Sequence, residues 1–414
     1  MTDRVNPPWE RPLIRVAVYG LATTVDVVLA ALMQASMLKA ADLTGSGMVT
    51  GSLAATWAVV YMIASLAIGA LTTPKRVAGL LVAACVLLGL TPLGLSRWSG
   101  LTALYLLSGI SAVGSALFFV PFQLFMKLVD EGQNKGVAHS AGFYTFSWSL
   151  GYAVGPFVIG FLWSRGWNAC MAFCTLTSAA TAAGVVMLRH HARPAGVRGS
   201  DREAASPRAE PPANAAAANR LPDLAWMAWI FSGIGSMMVT LVRSQLPITA
   251  KRYEVSAEAL GTVLFALSMS QGLTAFLLGW TKRWMYHGGP VFAFGACGAA
   301  ALALFAGGRA MPALIVAGVL MGVYTGSTYF YLVYHSLVHP TRAPRYVSIN
   351  EAVVGVGGAV GPAAGGVLAD YAGGGAPYAA SAGLVLVAVS TQALLPARLG
   401  TDPPRLGSAE PPAG

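Results

Sequence analysis

Long stretches without a charged residue limit how this chain can fold more than any other feature. Ten windows free of Lys, Arg, Asp and Glu cover 43–74, 77–96, 98–126, 136–164, 166–188, 224–242, 259–281, 284–308, 310–341 and 371–397. Two more, at about 14–38 and 346–369, each carry one acid, Asp26 and Glu351. A helix needs about 20 apolar residues to cross a bilayer, and barrel strands alternate in short runs instead. The sequence therefore predicts an all-α polytopic membrane protein with twelve transmembrane helices.

A glycine- and proline-containing phrase occurs twice in the chain. The copies are Gly151-x-x-x-Gly155-Pro156-x-x-Ile159-Gly160 and Gly357-x-x-x-Gly361-Pro362-x-x-Gly365-Gly366, which lie 206 residues apart. Two further glycine pairs match at an offset of 210, namely Gly51 with Gly261 and Gly69 with Gly279. Duplicated membrane segments indicate homologous halves. We expect two pseudo-symmetric six-helix bundles in the same membrane orientation.

The net charge of +10 follows the predicted topology. When the chain starts in the cytoplasm and crosses twelve times, nineteen of the 26 basic residues fall on the inner side, as the positive-inside rule requires. Nucleic acid is not needed to explain the charge. The predicted segments are a cytoplasmic N-terminus at 1–13, bundles at 14–188 and 223–397, a cytoplasmic linker at 189–222 and a cytoplasmic tail at 398–414. The linker is basic, contains proline and is low in complexity.

The fifth span carries the most specific motif. It reads Gly142, eight residues, Gly151, three residues, Gly155-Pro156, two residues, then Ile159-Gly160. This pattern resembles the signature of antiporters in the major facilitator superfamily, including proton-driven drug exporters, with Ile159 in place of one glycine. The resemblance extends from about residue 14 to 397 and implies a carrier that works by alternating access.

Small residues let helices approach closely, and proline bends a helix. We therefore assign helix packing and rocking of the two halves to six residues, Gly151, Gly155, Pro156, Gly357, Gly361 and Pro362. Ordinary small-residue packing is the alternative interpretation.

Two other signatures of the resembled family are incomplete. The turn after the second span lacks the usual Asp beside Lys75 and Arg76. Tyr105 stands four residues before Gly109, where drug/proton antiporters usually have an Arg that is thought to help proton coupling. The usual proton relay therefore cannot be carried over to this chain.

Acids inside membrane spans are candidates for proton or ion coupling, because each is costly in lipid unless it is paired or hydrated. Asp26 lies eleven residues beyond Arg15, which places it ~16 Å deep at ~1.5 Å per residue. Burial disfavours its charge and makes reversible protonation possible. A structural Asp bonded to a neighbouring helix is the alternative.

Glu351 is predicted to lie near the cytoplasmic end, six residues after Arg345. It is expected to pair with Arg342, Arg345 or the basic hairpin turns as an inner latch. An acid that simply stabilises a helix N-terminus is an equally good interpretation.

Polar and aromatic residues at helical spacing mark one face of the first, fourth, seventh and tenth spans, which line the cavity in the resembled family. Arg243 is the expected partner of Asp26, with snorkelling to the interface as its alternative. The predicted substrate-cavity residues are Thr23, Tyr105, Ser115, Phe119, Ser236, Thr240, Arg243, Tyr324, Thr328, Tyr331 and His335. Such faces suit a partly apolar organic molecule, although most helices show some polar stripe.

Several other functions find no support in the sequence. No nucleotide-binding Gly-Lys-Ser/Thr loop occurs, so an ion gradient is favoured over ATP. The four cysteines lie in apolar spans, where free Cys packs as a small hydrophobe. We expect no cofactor, no metal and no enzyme activity. The favoured function is proton-coupled export of a small organic solute by a monomer in the bacterial inner membrane. Proton-linked uptake and a non-transporting scaffold of the same fold remain open.

Overall fold

The computed structural model describes residues 12–73, 76–130, 137–191, 224–280, 284, 287–337 and 343–398, and these form helices without any strand. The first half contains α1 (Pro12–Thr44), α2 (Gly47–Leu71), α3 (Val77–Arg97), α4 (Leu101–Asp130), α5 (Val137–Trp163) and α6 (Trp167–His191). The second half contains α7 (Ala225–Arg252), α8 (Ala257–Leu278), α9 (Gly288–Gly307), α10 (Met311–Leu337), α11 (Ala343–Tyr371) and α12 (Ala376–Arg398).

The helices have the length and composition of membrane spans. Within the described residues, eleven are long and apolar enough to cross a bilayer, and the apolar part of α12 is the shorter segment Ala376–Thr391. Helix α8, with 22 residues, is ~33 Å long, which matches a hydrocarbon core ~30 Å thick. The predicted all-α polytopic class is confirmed.

Short connections reverse the chain between consecutive helices and define two ends of the bundle. The proximal end is the one at which α1 begins and α12 ends. The distal end carries the connections at 45–46, 98–100, 164–166, 253–256, 308–310 and 372–375. Gly45 has a φ of 65° just after α1, a conformation that favours glycine at a helix C-terminus.

The N-terminal caps of α2 and α8 repeat at the same offset of 210 that relates the glycines. The Ser46 side chain accepts a hydrogen bond from the Val49 backbone, and the Ser256 side chain accepts one from Ala259. A serine at this position satisfies an otherwise unpaired backbone donor. The duplication read from the sequence is therefore also present in local structure.

The two halves meet along two pairs of helices, α5 with α8 and α2 with α11, which are the most extensive helix contacts in the described chain. A Cβ atom added to Gly51 would overlap the Pro362 carbonyl, and one added to Gly261 would lie 2.7 Å from the Pro156 carbonyl oxygen. The two matched glycines thus occupy equivalent positions at the contacts between halves. The predicted two-bundle arrangement is confirmed.

The four glycines assigned to rocking, Gly151, Gly155, Gly357 and Gly361, pack within their own halves. In the first half, Gly151 and Gly155 of α5 lie against the backbone of α1, and a Cβ on Gly155 would be 2.5 Å from the Val27 carbonyl oxygen. In the second half, Gly357 and Gly361 of α11 lie in the same way against α7. We expected these glycines at the contact between halves. The carbonyls of Pro156 and Pro362 face the other half, as do Gly160, which packs on Ala257 of α8, and Gly366, which packs on Gly47 of α2. A role of the four inner glycines in rocking stays a prediction.

At the distal end, Asp370 of α11 caps the N-terminus of α2. Its carboxylate accepts hydrogen bonds from Ser46 Oγ at 2.6 Å and from the backbone nitrogens of Gly47 at 2.8 Å and Met48 at 3.0 Å. Arg252 forms an ion pair with it at 3.4 Å. A carboxylate at a helix N-terminus also interacts favourably with the helix dipole. We call Asp370 and these four partners the distal clamp.

Two further side chains of α7 bond to the first half beside the distal clamp. Lys251 Nζ donates to the carbonyl oxygens of Ala41 at 2.9 Å and Asp42 at 3.3 Å, at the C-terminal end of α1. Gln245 Nε2 donates to the Gly47 carbonyl oxygen at 3.2 Å. Polar side chains of α7 and α11 therefore hold the two halves together at this end.

Most of the predicted cytoplasmic segments, namely 1–11, 192–223 and 399–414, lie outside the described residues. The same is true of Lys75, Lys135, Lys282, Arg283 and Arg342, and of the side chains of Lys127 and Arg345. The inner placement of these charges and the exact bounds of the segments stay predictions.

Replacement of Gly155 by alanine is expected to destabilise the protein by about 1–3 kcal/mol, because the added methyl overlaps backbone atoms that cannot rotate away. Gly109→Ala is the matched control, since its Cβ would lie 3.8 Å from Val60 Cγ2, an ordinary contact. Thermal unfolding of both variants in detergent measures the difference. Equal unfolding temperatures for the two variants would contradict the close packing of α5 on α1.

Replacement of Asp370 by alanine is expected to cost about 1 kcal/mol for the lost cap and to open the distal end. Asp42→Ala is the control, because Asp42 is exposed and its carboxylate lies 4.0 Å from Lys251, and such surface pairs contribute little. Labelling of a cysteine introduced at Ser244, which is buried beside the clamp, reports the opening. The clamp has no gating role if labelling is equally slow in both variants.

Candidate functional site

Asp26 lies in the middle of α1 with only 2% of its surface exposed. Close packing of Gly151 brings α5 against this position, since a Cβ on Gly151 would meet Asp26 Cβ at 2.5 Å. The carboxylate oxygen Oδ2 is buried and makes no hydrogen bond. A structural aspartate bonded to a neighbouring helix would have this oxygen satisfied, so the geometry favours a functional acid.

Arg243 of α7 points into the contact between the halves. Its guanidinium lies 4.4 Å from the ring centroid of Tyr152 in α5, and Nη2 donates to Ser268 Oγ in α8 at 3.1 Å. It also interacts electrostatically with Asp26. These contacts argue against snorkelling and place the expected partners, Asp26 and Arg243, in opposite halves of the molecule. No nitrogen–oxygen distance between them falls within 4 Å, and both residues are among those described.

Tyr329 of α10 completes this group of residues. It interacts electrostatically with Arg243 of α7. Its ring meets the Trp148 ring of α5 edge to face at 5.2 Å. We call Asp26, Tyr152, Arg243, Ser268 and Tyr329 the charged centre. Tyr152, Ser268 and Tyr329 were not predicted from the sequence, although Tyr152 directly follows Gly151 of the signature.

Glu351 lies eight residues into α11, ~12 Å from its start at the proximal end. Its Oε2 accepts a hydrogen bond from the Tyr61 hydroxyl of α2 at 3.1 Å, and the Tyr61 ring stacks on Trp57 at 5.1 Å. This bond crosses between the halves. Of the basic partners expected for Glu351, Arg342 and the Arg345 side chain lie outside the described residues, so the inner latch stays a prediction.

A buried amide network lies next to the charged centre and was not predicted. Gln271 of α8 donates from Nε2 to Ser149 Oγ in α5 at 2.9 Å, and its Oε1 accepts from Thr325 Oγ1 in α10 at 3.0 Å. All three side chains are buried, and the network spans both halves. The sequence feature that could have indicated this network is a glutamine in an otherwise apolar span. It was not singled out because glutamine carries no charge.

The predicted cavity residues of α1 and α7 bond to other backbone groups. Thr23 Oγ1 donates to the Ser147 carbonyl oxygen at 2.9 Å, and Ser236 Oγ donates to that of Val354 at 3.0 Å. Thr240 Oγ1 donates to the Ser236 carbonyl oxygen at 2.6 Å, within its own helix. The substrate contacts predicted for all three stay predictions.

The predicted residues of α4 lie inside the first half. Tyr105 hydroxyl bonds to Ser52 Oγ at 2.5 Å in α2, near the distal end. Ser115 bonds within α4, and Phe119 packs in a core formed by α1, α3, α4, α5 and α6. No hydrogen bond or ring contact in the described part of the chain joins these side chains to the charged centre.

The predicted residues of α10 lie inside the second half. Tyr324 packs against Gly298 of α9, and Thr328 packs against Gly235 of α7. The Tyr331 and His335 rings contact each other at 4.3 Å, and His335 is buried. Their neighbour Tyr329, on another face of α10, is the residue that reaches the other half. Among the described residues, no group of three or more metal-ligating side chains could hold a metal ion.

Comparison with known proteins identifies the family. The profile of the Major Facilitator Superfamily matches residues 16–338. No curated protein matches the chain. Three similar solved structures are the human organic anion transporter MFSD10 (TETRAN), a bacterial homolog of the human lysosomal transporter Spinster in an inward-facing, unoccupied conformation, and the nucleoside transporter NupG.

The structural likeness covers nearly the whole length of each protein. MFSD10 has 12% identity and a TM-score of 0.62 over 94% of this chain and 100% of its own. The Spinster homolog has 14% identity and a TM-score of 0.60, and the match covers 94% of this chain and 96% of the homolog. NupG has 12% identity and a TM-score of 0.61, and the match covers 93% of this chain and 100% of NupG. Identities this low support the shared fold alone. Together with the matched profile and the two six-helix halves, they show that this chain belongs to the Major Facilitator Superfamily and has the fold of its transporters.

Proposed function

We propose that the protein is a proton-coupled carrier that moves a small organic solute across the inner membrane by alternating access, with both termini in the cytoplasm. The observation that carries this proposal is the placement of Asp26 and Arg243 in opposite halves at their contact, where the two charges interact electrostatically. A buried acid with an unbonded oxygen can take up a proton. Its arginine partner belongs to the other half, so protonation changes the attraction between the halves.

The strength of such an attraction is adequate for coupling. Two unit charges about 6 Å apart attract by about 3 kcal/mol at an effective dielectric constant of about 20. Every 1.4 kcal/mol changes an equilibrium about tenfold. Removing the charge of Asp26 can therefore change the relative populations of two conformations about a hundredfold, provided that the pair is closer in one of them.

Alternating access also needs contacts at both ends that can open in turn. The distal clamp ties α2 to α11 and α7 at one end, while the Glu351–Tyr61 bond joins α11 to α2 nearer the other. We propose Glu351 as a second coupling residue, because it is an acid inside a membrane span whose hydrogen bond from Tyr61 joins the two halves.

Two directions of transport are compatible with this centre. The sequence favours export in exchange for protons, because the fifth helix carries the antiporter-like phrase. The second candidate is proton-linked uptake, and the permanent charge of Arg243 next to an acid that can be neutralised favours it. The names of the similar structures include an organic anion transporter and a nucleoside transporter. Those substrates differ, so no substrate class follows from the likeness.

Replacement of Asp26 by asparagine is expected to reduce substrate-dependent proton flux at least about tenfold, because the amide keeps the shape but cannot exchange a proton. The measurement uses reconstituted vesicles with an imposed pH gradient and a library of metabolites and toxic compounds. Asp42→Asn is the control, since Asp42 is an acid of the same helix that lies exposed at the distal end.

Coupled flux that survives Asp26→Asn unchanged would remove Asp26 from the mechanism. A folded wild-type protein that gives no flux with the whole library would instead support a non-transporting scaffold. Whether proton flux runs with the solute or against it decides between uptake and export.

A further inference from the structure

Arg243 brings a permanent positive charge into the membrane interior. It is the one Lys or Arg of the described helices that lies more than two turns from both ends of its helix. Arginine does not lose its proton in proteins. The charged centre can therefore change its net charge through its acid, but its cation is fixed.

The guanidinium retains hydrogen-bonding capacity at this position. Ser268 takes one donor and the Tyr152 ring covers a face, whereas a guanidinium has five N–H donors in a planar fork that fits an oxyanion with two parallel bonds. No carboxylate of the described chain lies within ion-pair distance of it. A half-buried cation in this state is suited to an anion that comes from outside the protein.

The titratable groups that face this cation come from four helices. Asp26 of α1, Tyr152 of α5 and Tyr329 of α10 interact with Arg243 electrostatically. Glu351 of α11 interacts with Tyr329 and accepts a hydrogen bond from Tyr61, towards the proximal end. Asp26 is thus the acid whose charge directly offsets that of Arg243, and its unbonded oxygen leaves room for protonation.

We infer that the charged centre binds an organic monoanion, with the oxyanion on the free donors of Arg243 and an apolar or aromatic body against the Trp148 and Tyr329 rings. This inference rests on the proposed proton site at Asp26, and of the two directions it favours proton-linked uptake. When Asp26 is ionised, its carboxylate and the ligand compete for the same cation. When Asp26 is protonated, the ligand becomes the compensating charge, and a buried charge without a partner is avoided.

A cationic ligand does not suit this arrangement. An ammonium group near Asp26 would lie close to Arg243, whose charge would then have no counterpart. A zwitterion fits the ionised centre better than the protonated one, so its binding would weaken as the pH falls. The monoanion shows the opposite dependence, because it and the proton each raise the affinity for the other. This sign is the one that cotransport requires.

The test is binding of matched probes to the purified full-length protein in detergent, measured by calorimetry. The probes are benzoate, 3-phenylpropanoate and octanoate, together with the amide and the amine of the same carbon skeleton. Carboxylates of this kind stay ionised at both about pH 5.5 and about pH 8, so a pH effect reports on the protein. We expect at least one carboxylate to bind at least about tenfold more tightly at the lower pH, and its amide and amine not to bind.

Three variants separate the roles of the charges. Arg243→Gln is expected to abolish carboxylate binding, and Arg243→Lys, which keeps the charge without the fork, to retain part of it. Asp26→Asn mimics the protonated acid and is expected to bind the carboxylate equally at both pH values, with the affinity of the wild type at low pH. Retained binding in Asp26→Asn also shows that the site is folded.

Preferential binding of the amines, tighter carboxylate binding at high pH, or carboxylate binding that survives Arg243→Gln would each overturn the inference. Absence of binding by all three carboxylates would do the same. These outcomes leave proton coupling untouched, which fails only if Asp26→Asn transports with normal coupling. The anion specificity and the proposed function can therefore fail separately.

Discussion

Direct contact between helix backbones at glycine is the constraint on which the rest of this structure depends. Gly151 and Gly155 let α5 touch the α1 backbone, and this contact brings Tyr152 towards Asp26. The equivalent contact of Gly357 and Gly361 sets α11 against α7, the helix of Arg243. In lipid no hydrophobic effect drives helices together, so packing at small residues has to supply much of the association.

The signature phrase links two kinds of contact through a single helix segment. Gly151 and Gly155 join α5 to α1 in the same half, and the Pro156 carbonyl, one residue further on, faces Gly261 of the other half. A shift of α8 against α5 would therefore reach α1 and Asp26 through less than two turns of helix. The equivalent segment of α11 contacts both α2 and α7. Arg243 is therefore connected to the contact between the halves in the same way as Asp26.

The sequence was sufficient for the class of fold, because apolar length and internal duplication are properties of the chain itself. It also indicated Asp26 and Arg243, since charges inside apolar spans are rare and costly. Tyr152, Tyr329 and Gln271 were not found, because uncharged polar residues are common on helices and only packing decides which of them meet. Asp370 was missed for another reason. It ends an apolar window, and its cap acts on a helix more than 300 residues away in sequence.

Placement of the acid and the cation in different halves has a consequence that a pair within one half would not have. Within one half, protonation would alter local stability but would leave the relation between the halves unchanged. Across the contact, protonation of Asp26 changes the electrostatic energy needed to separate it from Arg243, and so the energy of every conformation in which the two residues move apart. This change becomes larger as water is excluded from the site. An anion that replaces Asp26 as the partner of Arg243 would move the attraction from protein to ligand. The halves could then separate on one side while the charge stays compensated, which is the physical requirement for carrying an ion through a low-dielectric interior.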